Sequence, residues 1–148
     1  MEYTERLFVP LRWWVQATML VATFWLALVV AVPLLAANLI VGAMAALVAA
    51  AFVRFGAFRV EVVDGQLRAG RAHLPLTYVG EVTPLDKEQT RLLAGRDANA
   101  RAHLAMRPYV KRSVRVEITD PADPTPYWLI STRRPKQLAA ALAGRLAR

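Results

Sequence analysis

Two histidines, no cysteine and an excess of arginine set the chemistry open to this 148-residue chain. His73 and His103 lie far apart in sequence, and neither has a carboxylate at helical ligand spacing. Without cysteine there is no thiolate for a metal, no disulfide and no sulfur nucleophile. Such a chain fits a reducing compartment. The HExxH, GxSxG and glycine-rich phosphate-loop patterns do not occur. Asp120 and Asp123 suggest a cation site, but a proline follows each, and Asp-Pro initiates turns. Glu81, Asp86 and Glu88 cluster in sequence but read as a helix start. Catalysis needs a nucleophile with a base, a metal or paired acids. A non-enzymatic protein with no cofactor and no metal is therefore expected.

The basic residues offer binding chemistry instead. Lys111, Arg112 and Arg115 fall on one predicted strand. Arg133, Arg134 and Lys136 lead into a predicted last helix, which Arg145 and Arg148 end. The set is either a solvated basic surface or a patch that faces an anionic leaflet. Tyr127 and Trp128 are adjacent on a predicted strand, so they point to opposite faces. One is expected in the core. The other is expected to be exposed and to anchor a partner, since Tyr and Trp are common interface anchors. The expected partner or lipid contact set is thus Lys111, Arg112, Arg115, Tyr127, Trp128, Arg133, Arg134 and Lys136.

The elements that must position these residues are organised around one apolar stretch. From Trp13 to Val53 the chain has no Asp, Glu, Lys or Arg, and Arg12 and Arg54 close the stretch at its two ends. A bilayer core of roughly 30 Å takes about 20 apolar residues as helix. Pro33 divides the stretch into residues 13–32 and 34–53, each of that length, and Asn38 is read as a turn residue near the break. A helical hairpin spanning a membrane twice is expected. The stretch is too long for a signal peptide. Arg12, Trp13, Trp14 and Arg54 are expected at the membrane interface, where indoles and cations belong. Arg6 and Arg12 precede the first span, Arg54 and Arg59 follow the second, and the connection is uncharged. The positive-inside rule then puts both termini in the cytoplasm. Gly42, Ala46 and Ala50 repeat a small-x-x-x-small spacing. That face serves either packing on the first span or homo-oligomerisation.

Before the hairpin, Met1 to Arg12 is read as an interfacial lead-in, so the expected domains are 1–56 and 57–148. The second carries sixteen Lys or Arg against nine Asp or Glu, which is +7 of the chain's net +8. Phe58, Val60 and Val62 alternate with Arg59, Glu61 and Val63, and Asp64-Gly65 breaks the run before Gln66 to Ala69 resume it. That pattern predicts a β-hairpin with a type I′ turn. Further strands are expected over Arg71 to Leu85, with Pro75 at an edge or bulge. Asp86 and Gln89 form a capping-box pattern for a short helix ending at Gly95. A strand over Tyr109–Thr119 faces Val110, Val114, Val116 and Ile118 one way, with Arg112 an exception near its start. A proline-rich turn, a strand from Tyr127 to Thr132 and a helix over 135–147 complete the chain.

This order, a membrane hairpin followed by strands and a last amphipathic helix, resembles bacterial PH-like domains anchored by two transmembrane helices. The run from Asp120 through Tyr127-Trp128-Leu129-Ile130 to Arg133-Arg134-Pro135 looks like the signature of a small actinobacterial membrane protein family of unknown function. The opening Tyr3-Thr4-Glu5-Arg6-Leu7 and the segment Pro10 to Trp14 are similar to that family's start. The resemblance implies an α+β membrane protein with a PH-like antiparallel β domain and a C-terminal helix. It implies no activity. Phosphoinositide-gripping PH domains place several Lys and Arg around the first hairpin. Here Asp64 and Gly65 form its tip beside Glu61, with Arg68 and Arg71 on the second strand only, which speaks against an inositol-phosphate pocket. The expected function is a membrane-anchored module for protein interaction or scaffolding at the cytoplasmic membrane face, with anionic lipid sensing as the alternative. The expected partners are membrane lipids, a membrane or cytoplasmic protein, and a second copy through the second span. Nucleic acid is not expected.

Overall fold

The computed structural model describes residues 2–147; Met1 and Arg148 lie outside them. It divides into two compact units. One is Phe8–Ala57, and the other joins the residues on either side of it.

The first unit is a pair of helices, α1 (Leu11–Ala31) and α2 (Leu34–Gly56). The break falls where Pro33 predicts it. Val32 is extended and caps α1, and Pro33 caps the start of α2. Both helices are long and apolar enough to cross a membrane. No residue of α1 is buried, and α2 buries only Ala37, Val41 and Gly56. Asn38 is not a turn residue. It lies inside α2, and its Oδ1 accepts the Trp25 indole N–H at 2.8 Å. That bond satisfies two polar groups that an apolar setting would otherwise leave unmet. Trp13 and Trp14 are half-buried, with ring centroids 6.2 and 5.0 Å from Phe52. The pairing with α1 uses Ala37 and Val41, whereas Gly42, Ala46 and Ala50 remain exposed. The small-residue row therefore does not serve packing within this helix pair.

The second unit starts with a strand that sequence reasoning did not expect. β1 (Tyr3–Arg6) is not the lead-in of a helix; it pairs antiparallel with β2 (Arg59–Val63). An isolated four-residue strand is not stable alone, so β2 supplies its structure. β3 (Gln66–Ala69) and β4 (Ala72–Pro75) extend the sheet in the order β1-β2-β3-β4. The β2–β3 turn has Asp64 at φ 52° and Gly65 at φ 71°, as a type I′ turn requires. Pro75 ends the edge strand β4, where a missing N–H costs least.

A 3₁₀ turn over Leu76–Tyr78 leads to the second sheet, of order β5-β7-β8-β6. Its strands are β5 (Val79–Leu85), β6 (His103–Ala105), β7 (Ser113–Ile118) and β8 (Tyr127–Ser131). β5 and β8 both pair antiparallel with β7, whereas β6 runs parallel to β8. Helix α3 (Lys87–Ala94) follows β5, with both capping-box bonds made and Gly95 at its end. Helix α4 (Pro135–Leu146) closes the unit. The inner faces of both sheets meet in one core that includes Val60, Val62, Leu67, Val114, Val116 and Ile130. Leu138 and Leu142 of α4 enter that core fully buried. Each such side chain contributes about 1.5–3 kcal/mol relative to exposure.

Candidate functional site

The expected basic set separates into three places. β7 begins at Ser113, so Lys111 and Arg112 precede the strand rather than lie on it. The Thr132 N–H donates to the Arg112 carbonyl at 3.1 Å, which sets Arg112 beside the segment leading into α4. Between the starts of α3 and α4 lies a shallow cleft of about 590 Å³. Arg112, Arg133, Arg134 and Lys136 supply its positive charge, and Pro84, Leu85 and Pro135 give it apolar lining.

The local sequence explains the field in this cleft. Pro135 opens α4 and has no N–H, and Arg134 at the N-cap makes no side-chain capping bond. The N–H groups of Lys136 and Gln137 fall in the first turn, where no helix carbonyl reaches them. The helix dipole adds partial positive charge at the same end. Asp86 is the one carboxylate lining the cleft, and it is already engaged: its Oδ1 accepts the Gln89 N–H at 2.8 Å. Among the described residues lining the cleft, four cations thus stand with one carboxylate.

The cleft wall is held by the unexpected strand. Glu5 accepts the Arg133 N–H at 3.0 Å, the Tyr3 hydroxyl at 2.7 Å and the Thr132 hydroxyl. Thr132 is fully buried, and its Oγ1 also accepts the Arg134 N–H at 3.0 Å. Burial is the main cause that pushes the Tyr3 phenol up to about 12. The Tyr109 phenol is also raised by burial, against the opposing pull of Arg107 and Arg133. Its hydroxyl donates to the Leu7 carbonyl at 2.6 Å.

Residues 2–142 match the model of a family described as a protein of unknown function (DUF3093). The chain belongs to this family. Comparison with curated proteins and with solved structures returned no match. The match takes in β1, both apolar helices and every residue of the cleft named above.

In this DUF3093 chain the two aromatic candidates behave differently from expectation. Neither is exposed: Tyr127 is 5% and Trp128 7% accessible. β8 is an interior strand with both faces covered. Trp128 enters the main core, with the His103 ring 4.9 Å away. Tyr127 joins Leu85 and Leu129 in a second cluster beneath Leu93, Ala94, Ala102 and Met106. Arg115 is part of that second face, its guanidinium carbon 4.8 Å from the Tyr127 ring centre. Lys111 lines a separate depression of about 390 Å³ with Lys87, Arg91 and Arg107.

The remaining candidates of the DUF3093 chain settle as follows. Arg12 and Arg54 are exposed. Asp120 Oδ1 accepts the Ala122 N–H and Asp123 Oδ1 the Thr125 N–H, each at 2.9 Å, so both are turn-formers. The Thr125 bonds lower the Asp123 carboxyl below its usual range. His73 lies on β4 in one sheet and His103 on β6 in the other. Among the described residues no group of three or more His, Asp or Glu could hold a metal ion. Sequence reasoning missed Glu5, Thr132, Leu85 and Gln137. The Thr-Arg-Arg-Pro run entering α4 was the available signal for a cationic helix start.

Proposed function

We propose that this protein is a non-enzymatic, membrane-anchored interaction module. Its cationic cleft takes an acidic, partly apolar segment of a partner protein. The observation that carries this reading is the convergence of Arg112, Arg133, Arg134 and Lys136 around the uncapped start of α4, over Pro84, Leu85 and Pro135. Arginine forks match carboxylates two bonds at a time, and the apolar lining accepts a neighbouring side chain.

Membrane anchoring rests on α1 and α2. A core helix of a soluble protein is mostly buried, whereas these two hydrophobic windows are 0% and 11% buried. The charge bias favours a cytoplasmic position for both termini, as expected for the actinobacterial family that the sequence resembles. Two small sheets closed by a C-terminal helix support the PH-like reading of the second unit. The exposed row of Gly42, Ala46 and Ala50 supports self-association through α2.

The test is capture from solubilised membranes with full-length protein. The expected result is a short, reproducible set of partners that carry acidic segments. Arg112→Gln, Arg134→Gln and Lys136→Gln together should remove that set. An unchanged set with the triple variant would refute the cleft as the docking site.

A further inference from the structure

The first sheet sorts charge along its outward face. Its register places Arg6 directly opposite Arg59, and Thr4, Glu61, Arg68 and His73 in one cross-strand row. These residues alternate with the buried Val60, Val62, Leu67 and Leu74, so they share the solvent side. The Gly70 N–H donates to the Arg59 carbonyl at 2.8 Å, which sets the Gly70–Arg71 turn beside Arg59. Arg6, Arg59, Arg68 and Arg71 therefore gather toward one end of the sheet, and Asp64 lies at the other. Glu61 is the carboxylate among them, so four arginines less one glutamate leave three positive charges. A polar depression of about 380 Å³ opens between Arg68, Arg71 and His73.

The arginine end is also where the chain leaves for the helix pair and returns. The Leu7 N–H donates to the Phe58 carbonyl at 2.9 Å, one residue beyond the Arg6–Arg59 pair, and residues 8–57 form the helical unit. Arg59 follows the end of α2 at Gly56 by only three residues. If α2 spans a bilayer, its neighbours in sequence meet phosphate headgroups at high local concentration. A guanidinium fork binds phosphate bidentately.

We infer that this face, with Arg59, Arg68 and Arg71 at its centre, binds the phosphate headgroups of anionic phospholipids. It rests on the membrane-anchored reading above, and it shares no residue with the cleft between α3 and α4. No Phe, Tyr or Trp stands in the arginine rows to stack a base, which favours lipid over single-stranded nucleic acid. Lipid bound here leaves the other cleft for a protein.

The chain has no cysteine, so a single dye can be placed at His73→Cys in the full-length protein. The protein is incorporated in nanodiscs of phosphatidylcholine alone, or of phosphatidylcholine with about 30% phosphatidylglycerol. The expected result is a blue shift of the dye only in the anionic discs. It should weaken at about 0.5 M NaCl, where screening is strong. Arg59→Gln, Arg68→Gln and Arg71→Gln together should weaken the apparent phosphatidylglycerol affinity by about 100-fold, at about five-fold per basic residue. Arg112→Gln with Arg134→Gln and Lys136→Gln should leave it unchanged. Equal emission in both discs, a shift that survives the first triple variant, or one that moves to the second would overturn the inference. So would the same shift on adding inorganic phosphate to neutral discs, which would mark a site for free anions. Failure of the protein to enter either disc is read separately, by co-elution, and would count against the membrane reading itself.

Discussion

Replacing Thr132 by valine tests whether β1 is latched to the end of β8. The change keeps shape and removes one hydroxyl. That hydroxyl donates to Glu5, accepts the Arg134 N–H at 3.0 Å and sits 3.3 Å from the Tyr3 hydroxyl. A bond to an ionised carboxylate is worth about 1.5–3 kcal/mol and a neutral one about 1 kcal/mol. Thr132 is fully buried, so water does not readily replace them. The expected loss is roughly 3 kcal/mol, or about two decades in the local opening equilibrium at 1.4 kcal/mol per decade. Hydrogen exchange read by mass spectrometry on full-length protein in detergent measures it. Amides of Tyr3–Arg6 should exchange about 100-fold faster in Thr132→Val. Thr132→Ser, which keeps the hydroxyl, should stay within several-fold of wild type. Adding Glu5→Gln to Thr132→Val should cost less than the sum of the two single changes, because the Glu5–Thr132 bond is weakened or lost in both. If exchange of β1 in Thr132→Val stays within about three-fold of wild type, the latch contributes little and the reasoning is wrong.

Four further outcomes are expected. Gly70 has φ 63°, and a Cβ there would meet the Phe58 ring at 2.8 Å. Gly70→Ala should cost about 2–4 kcal/mol in denaturant unfolding, from backbone strain plus overpacking. Gly65→Ala, at φ 71° with open space, should cost only about 1–2 kcal/mol. Trp128→Ala removes a buried ring and should cost about 3–5 kcal/mol in stability, so its effect on partner capture would be seen as loss of folded protein. The Tyr3 phenol is raised from 10.0 to about 12 in the folded chain, so the folded state holds its proton more tightly. Its contribution to stability is complete below pH 10 and declines as pH rises toward 12. Midpoints measured between pH 9 and 12 should fall less steeply in Tyr3→Phe.

Elements specified by a few adjacent residues were legible. Asp64-Gly65 demands positive φ twice, Asp86 with Gln89 writes both halves of a cap, and Pro33 ends one helix and starts the next. β1 was hidden because its partner lies beyond the whole helix pair and four residues carry no period of their own. β6, three residues in parallel register with β8, was hidden for the same reason. The alternation of β7 is plain in the sequence, yet alternation alone does not tell whether the second face is covered. Ser113, on that second face, is fully buried and shares a 2.9 Å hydrogen bond with Thr90 of α3. The apolar run Tyr127-Trp128-Leu129-Ile130 was the better signal, since four apolar residues in succession indicate a strand covered on both sides. The basic cleft was half legible: Arg133, Arg134 and Lys136 are neighbours in sequence, whereas Arg112 joins them only through strand pairing.

β1 and β2 pair like the two legs of an ordinary antiparallel hairpin, and in sequence residues 8–57 are inserted in place of its turn. During synthesis β1 emerges first and must wait for residues 8–57 before its partner exists. β1 therefore cannot pair until both helices have been made, which couples completion of the β unit to synthesis of the helices. The same connectivity offers a way to separate them. Because the Leu7 N–H already bonds the Phe58 carbonyl at 2.9 Å, a two-residue turn in place of residues 8–57 would preserve the register of every strand. The β unit could then be made as one continuous chain without its apolar insertion.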